Sequence, residues 1–113
     1  MKYALLIYEN EAEFGDRSTA AFQAHIGRHM AFSQSLGQKR IGGSGLNGVA
    51  TATTIRTANG AKTIHDGPFA ETKEQLGGFY LVEAADLDEA IAIARQVPVM
   101  GDGSVEIRPM IGP

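Results

Sequence analysis

Three histidines are the side chains of this chain best suited to proton transfer near neutral pH. His25 and His29 stand four residues apart in a segment of helical periodicity. Ile26 and His29 fall on the apolar stripe of that helix, whereas we predict that His25 lies at the edge of the stripe or in solvent. A histidine on an apolar stripe is either a core residue bonded to a backbone carbonyl or a base that faces a cleft. Taken alone, His29 is better explained as the core residue, but we predict that it lies in a cleft, because leucine would pack better in a closed core.

A histidine base gains from a carboxylate that orients its ring and raises its pKa. His65 and Asp66 are adjacent, so on a strand their side chains point to opposite faces and cannot pair. Asp66 can instead orient His29 if both face the same cleft, and these two are the catalytic candidates. Substrate-binding candidates lie at or near the ends of other elements: Tyr8, Phe69, Glu71 and Arg108. For each of them alone, the alternative is a solvated strand end, a salt bridge or a core contact.

The sequence predicts neither a metal nor a cofactor. His25 and His29 could present two imidazoles to one ion, but the zinc-protease motif needs Glu where this chain has Ile26, and no third ligand has a recognisable spacing. The chain has no cysteine, which excludes disulfides and thiolate sites. Residues 43–48 match the glycine spacing of the dinucleotide fingerprint. They follow a helix and precede a strand, the reverse of the required context, so we predict a flexible loop.

Residues 66–74 form the most distinctive segment. Gly67 and Pro68 interrupt regular structure, because proline fixes φ and donates no backbone hydrogen bond. The segment is polar except for Phe69, which is typical of an interface loop or of the wall of a site. We expect it to line the same cleft as His29. The alternative is that Phe69 and Lys73 serve only a contact between two subunits.

The chain predicts a single α+β domain over residues 1–113. The elements are a strand at 3–8, a helix from Ser18 or Thr19 to about Leu36, a hairpin around Asn59-Gly60, a strand at 78–83, a helix from Asp86 to Pro98 and a strand at 104–110. This order predicts a ferredoxin-like βα-hairpin-βαβ sandwich with both helices on one sheet face.

The same pattern predicts a homodimer. Residues 3–8 and 79–82 are apolar at both odd and even positions, which is typical of strands covered on both faces. Two helices can cover only one face, so we expect a second copy of the chain to cover the other.

Composition excludes several classes of function. The net charge of -3 argues against a nucleic-acid surface, and the apolar content of 43% with 20% charged residues fits a soluble protein. No segment has the length of a membrane span, and the N-terminal run lacks the features of a signal peptide. We therefore expect a cytoplasmic protein that contacts neither nucleic acid nor membrane.

Asp66-Gly67-Pro68-Phe69, with residues 70–74 behind it, resembles the YCII-related family and specifically its DGPF branch. The similarity extends through residues 2–8, 29–32, 76–80, 86–90 and 105–109. It implies a dimeric α/β barrel of ferredoxin-like subunits. Some relatives in the wider group are enzymes that use a His–Asp pair on small aromatic substrates, and others are fused or encoded with sigma factors. The histidine matches His29, but Ile41-Gly42-Gly43 occupy the position of the usual aspartate, which leaves Asp66 for that role.

Two functions follow from these features. In the first, the protein is a small enzyme in which His29 is the base, Asp66 orients it, and Arg108 or Tyr8 binds a small organic molecule during an elimination or isomerisation. In the second, it is a non-catalytic dimeric module that binds a small ligand or a protein partner through the loop at residues 66–74. We favour the enzyme.

Overall fold

The computed structural model describes residues 1–112; Pro113, the last residue of the predicted domain, lies outside them. The architecture is α+β, as predicted. Its elements are β1 (Lys2–Glu9), α1 (Ala20–Leu36), β2 (Arg40–Gly45), β3 (Thr53–Ala58), β4 (Ala61–Asp66), β5 (Gln75–Glu83), α2 (Leu87–Ala94) and β6 (Ser104–Pro109).

Four strands form the main sheet in the order β2-β5-β1-β6, and every neighbouring pair is antiparallel. This order, with two helices, is compatible with a ferredoxin-like fold. The predicted hairpin is also present, as a separate two-stranded sheet of β3 and β4. Asn59 and Gly60 both have positive φ, 52° and 79°, as the turn of a tight hairpin requires.

Both helices begin where the sequence predicts. The Thr19 side chain accepts a hydrogen bond from the Phe22 N–H, and Asp86 accepts one from the Glu89 N–H at 2.9 Å. Gly37 follows α1 with a φ of 55°, a conformation that glycine adopts without steric cost. Since these caps satisfy backbone groups that the helices leave free, they define the helix ends locally.

The prediction of a flexible loop at residues 43–48 is wrong for residues 43–45, because Arg40–Gly45 forms strand β2 at the edge of the main sheet. Gly43 has a φ of 138°, and a Cβ there would lie 2.6 Å from the Phe79 carbonyl oxygen. Glycine is therefore what allows β2 to approach β5 so closely. The predicted element order lacked this strand.

The two faces of the sheet differ in burial. On one face the helices cover a continuous apolar core that includes Tyr3, Leu5, Ile7, Phe32, Tyr80, Val82, Ala90 and Ile93. On the other face Leu6, Tyr8, Phe79 and Leu81 are only half-buried in the single chain. This open face is the one that the predicted dimer would cover.

Candidate functional site

A cavity of about 770 Å³ lies between α1 and the sheet. Gly77 and Gly78 lie near the start of β5, and Gly45 of β2 pairs with Gly78. A Cβ at Gly45 would meet nothing within 4 Å, whereas one at Gly77 would lie 3.2 Å from Glu9 Oε1 and one at Gly78 would lie 3.1 Å from the Ser44 carbonyl oxygen. Gly45 thus leaves space on the cavity wall, and side chains of β1 and α1 determine the chemistry of the cavity.

Glu9 and His25 form the most buried polar pair on the cavity wall, each 4% exposed. Glu9 ends β1, and its Oε2 accepts a hydrogen bond of 2.7 Å from the Met100 N–H and lies 3.8 Å from His25 Nε2. Burial raises the pKa of Glu9, opposed by the Met100 hydrogen bond and the charge of Arg17. Burial lowers the pKa of His25, and the charge of Arg28 lowers it further.

The prediction that His25 lies at the stripe edge or in solvent is wrong. The buried stripe of α1 runs through Phe22, His25 and Phe32, with His29 half-buried beside it, while Ile26 is 40% exposed. The prediction had centred the buried stripe on Ile26. In the structure the buried Glu9 carboxylate lies opposite His25, so the His25 side chain faces the sheet and Ile26 faces outward.

His29 lies on the cavity wall one turn further along α1. Its Nδ1 is 2.7 Å from the Tyr80 hydroxyl, and its ring stands perpendicular to that of His25 with centroids 4.6 Å apart. Burial, followed by the charges of His25 and Arg28, lowers the pKa of His29 to about 4, and a hydrogen bond to the Pro98 backbone acts in the opposite direction. The imidazole is therefore neutral at pH 7.

Tyr80 fixes the position of His29 from the sheet. Its ring stacks on that of His29 and meets Phe32 edge to face at 5.0 Å. Burial raises the pKa of its hydroxyl, with the charge of Arg40 opposing, so the hydroxyl keeps its proton. Neither Tyr80 nor Glu9 was predicted to be a site residue, and His25 was predicted to lie at the stripe edge or in solvent. The alternation of side chains along β1 could have identified Glu9, because Glu9 lies on the same strand face as the buried Leu5.

The cavity rim carries aromatic rings and two arginines. The Arg17 guanidinium lies 5.2 Å from the ring centroids of both Phe14 and Phe22, a cation–π arrangement. Arg40 donates from Nη2 to the Gly43 carbonyl at 3.0 Å, while its Nε is buried without a hydrogen-bond partner. The rim thus combines apolar surface with positive charge.

The predicted loop residues lie elsewhere in the single chain. Asp66 ends β4 on the surface, and it is not among the residues that line the His29 cavity. Phe69 is 74% exposed, and Glu71 lines a smaller depression with Gly67 and Pro68. The pKa of His29 responds to His25 and Arg28 and not to Asp66. A site shared by His29 and Asp66 therefore stays a prediction that requires a second copy of the chain.

Tyr8 and Arg108 lie on the open face of the sheet, opposite the cavity. The Tyr8 hydroxyl donates to Glu106 Oε1 at 3.1 Å, and β1 alternates so that Tyr8 points away from Glu9. Partial burial raises the pKa of Tyr8, as does Glu106, while Arg108 lowers it. The structure brings Tyr8 and Arg108 near each other and separates them from His29 by the sheet.

Within residues 1–112, no three histidine, aspartate or glutamate side chains converge closely enough to hold a metal ion. Over the same residues, no helix has both the length and the apolar character needed to cross a membrane.

Comparison with known proteins agrees with the fold. The family model described as "YCII-related domain" matches residues 1–112. An uncharacterized protein of Rhizobium meliloti (strain 1021) is 37% identical over 118 residues, covering 97% of this chain and 92% of its own length. The similarity therefore spans the cavity, the hairpin and the loop at residues 66–74.

Proposed function

The chain belongs to the YCII-related domain family, and from this premise and the geometry above we propose that it binds a small organic molecule between α1 and the sheet. His29 acts on that molecule as the proton acceptor. The observation that carries the proposal is His29 itself, neutral and hydrogen-bonded to Tyr80 on the wall of a 770 Å³ cavity. A cavity with apolar walls and a few convergent polar groups is the usual form of a small-molecule site.

The chemistry that fits is proton abstraction during elimination or isomerisation. A base must be unprotonated when it meets its substrate, and it is most effective when its pKa lies near the working pH. Burial keeps His29 unprotonated and the Tyr80 hydroxyl fixes its ring, while the pKa of about 4 makes it a weak base that a carboxylate from a second copy of the chain would strengthen. Arg17 and Arg40 at the rim favour a substrate that carries or develops negative charge.

We also propose that the protein is a homodimer in which a second copy covers the open sheet face, as in a dimeric α/β barrel. Leu6, Phe79 and Leu81 support this, because they are apolar and only half-buried in the single chain. An exposed apolar patch of this kind is typical of a protein–protein contact. Light scattering at micromolar concentration is expected to give twice the chain mass, with more than about 1,000 Å² buried per contact. Leu81→Glu should yield a monomer, and a wild-type monomer would refute the proposal.

Asp66 enters the proposed site only through this dimer. Its carboxylate, supplied by a second copy, would orient His29 and raise the imidazole pKa. An NMR titration of His29 in wild type and in Asp66→Asn tests the pairing. Equal pKa values in both proteins would show that Tyr80 alone positions His29.

The binding proposal is tested with a protein-detected NMR screen of small carboxylic acids, phenols and carbonyl compounds. Compounds that bind should shift resonances of His29 and Tyr80. Gly45→Leu should abolish these shifts, because its side chain would project on the helix side of β2 into unoccupied space. Gly27→Ala, on the exposed side of α1, is the matched control that should bind normally. Binding that survives in Gly45→Leu would place the ligand elsewhere.

A non-catalytic ligand-binding or interaction module is the second candidate. The 74% exposure of Phe69 in the loop at residues 66–74 favours it, because a large exposed apolar side chain is typical of a contact surface. One variant distinguishes the enzyme from the contact module. His29→Gln should abolish turnover of a bound compound if the protein is an enzyme, and should leave every function intact if it is a contact module.

A further inference from the structure

His25 Nδ1 is a buried nitrogen without a hydrogen-bond partner, and His25 belongs to the cavity wall. Buried polar atoms in proteins almost always have a partner, and an exception calls for an explanation. The other ring nitrogen, Nε2, faces Glu9, whose carboxylate is as deeply buried as the imidazole itself. The imidazole therefore has the Glu9 carboxylate beside one nitrogen and no partner at the other, buried nitrogen.

We propose that Glu9 and His25 form a second proton-handling pair in the cavity, with the imidazole relaying a proton between a ligand at Nδ1 and the Glu9 carboxylate. This rests on the proposed function, since the ligand is the small molecule bound beside His29. In the forward step the ligand's X–H bond breaks, its electron pair stays on the ligand, and an N–H bond forms at Nδ1. The Nε2–H bond breaks at the same time, and an O–H bond forms on Glu9.

This relay suits a closed site, because His25 never becomes an imidazolium. Burial disfavours both a charged imidazole and a charged carboxylate, and the relay ends with both groups neutral. Arg28 on α1 acts in the same sense by opposing an imidazolium at His25, whereas Arg17 acts in the opposite sense and stabilises ionised Glu9, the form that accepts the proton. His29 faces His25 ring to ring, so a charge on one would also penalise the other.

The Nε2 to Oε2 distance of 3.8 Å must shorten for the transfer. A hydrogen bond to a carboxylate is about 2.8 Å long, and such contacts are often longer before a ligand binds. Met100 holds Oε2 on one side, so the movement falls to the His25 ring.

Two proton-handling groups on one cavity define the class of reaction. His29 with Tyr80 and His25 with Glu9 are adjacent, so a substrate can lose a proton to one pair and regain one from the other. The class is a small molecule with an acidic C–H or O–H next to a carbonyl, and the reaction is a shift of that proton without net oxidation or reduction.

The experiment is a pH titration of protein labelled with ¹⁵N-histidine and ¹³C-glutamate. The imidazole ¹⁵N shifts distinguish the two neutral tautomers and the imidazolium. As Glu9 gains its proton, the His25 proton should move from Nε2 to Nδ1 with no imidazolium signal. A His25 that becomes imidazolium, or that keeps one tautomer while Glu9 titrates, would overturn the relay; wild type alone decides this.

Variants separate the relay from the proposed function. Glu9→Gln should abolish the tautomer change, and Glu13→Gln, at an exposed carboxylate just beyond β1, should leave it intact. His29→Gln should also leave it intact while removing the proposed base. Failure of the ligand screen would refute the binding proposal and the ligand end of the relay but not the coupling of His25 to Glu9, whereas loss of the tautomer change in His29→Gln would show that His25 and Glu9 do not work as their own pair.

Discussion

The layer between α1 and the sheet has two halves that differ in what fills it. In the packed half, at the start of β1 and the end of β5, Leu5 and Val82 are fully buried among helix residues. In the cavity half, at the other end of the same strands, the chain places Glu9, Gly77 and Gly78. The strands and α1 run through both halves, but α2 covers only the packed half, where it contributes Ala90, Ile93 and Ala94. The difference therefore comes from the second helix as well as from side-chain size and polarity.

This contrast shows how one fold supports stability and a site at once. The packed half contributes burial of apolar surface, which dominates the free energy of folding. The cavity half buries less apolar surface and instead holds the buried polar side chains Glu9 and His25. Tyr80 stands at the boundary, with Phe32 against its ring and His29 bonded to its hydroxyl.

The largest expected effect is in the packed half. Leu5→Ala should lower the free energy of unfolding by about 2 to 5 kcal/mol, because it leaves a void among residues that cannot collapse into it. Ser33→Ala, on the cavity wall, should change it by less than about 0.5 kcal/mol. Urea denaturation measures both. Equal losses would mean that the halves are not different in packing.

The next effect concerns β2, which closes one side of the cavity. Gly43→Ala should cost about 2 kcal/mol or more, since a Cβ at this φ would meet the Phe79 carbonyl oxygen. Gly45→Ala on the same strand has open space and no positive φ, so it should be nearly neutral. Thermal unfolding distinguishes them. A neutral Gly43→Ala would show that β2 does not need its close approach to β5.

The pH dependence of stability tests the cavity half directly. His29 has a folded pKa of about 4, against about 6.5 when unfolded. As pH falls from 6.5 to 4, the unfolded chain takes up a proton that the folded chain refuses, so stability falls. After allowance for partial solvent screening, the loss is about 1 to 2 kcal/mol.

His29→Gln removes this contribution, so urea midpoints at pH 7 and pH 4.5 should differ less in the variant than in wild type. His65→Gln is the matched control, at an exposed position on β4. Identical pH dependence in wild type and His29→Gln would mean that His29 is not held neutral by burial.

The smallest effect lies on the outer side of α1. Gly27→Ala should raise the free energy of unfolding by about 1 kcal/mol, because a Cβ there meets nothing within 4 Å and alanine favours a helix. Gly37→Ala, at a φ of 55°, should lower it. If Gly27→Ala instead destabilises the protein, this side of α1 carries a contact in solution.

The sequence predicted the parts of the fold that depend on local chemistry. Thr19 and Asp86 at the helix starts, and Asn59-Gly60 at the hairpin, act through their own backbone neighbours. Strand β2 was missed because Gly43 has no preference for a strand. Only the neighbouring β5 makes its conformation favourable, and that contact is distant in sequence.

The candidate site was predicted less completely. His29 was identified because a histidine on an apolar stripe is unusual, and it does lie on the cavity wall. Its partner Tyr80 is 51 residues away in sequence, and Glu9 and His25 meet only after β1 and α1 pack together. Such pairings depend on the rotation of the helix about its axis. Helical periodicity gave that rotation wrongly by placing Ile26 inward in place of His25.

The hairpin of β3 and β4 has a consequence for the dynamics of the chain. It forms a sheet of its own, and Ile55 and Ile64 are 63% and 73% exposed on one of its faces. A two-stranded sheet without a covering layer is marginally stable in water. It is therefore expected to open independently of the main sheet, so that its amide protons exchange with solvent while those of β1 and β5 stay protected. Hydrogen exchange at these two strands then reports whatever covers Ile55 and Ile64, residue by residue.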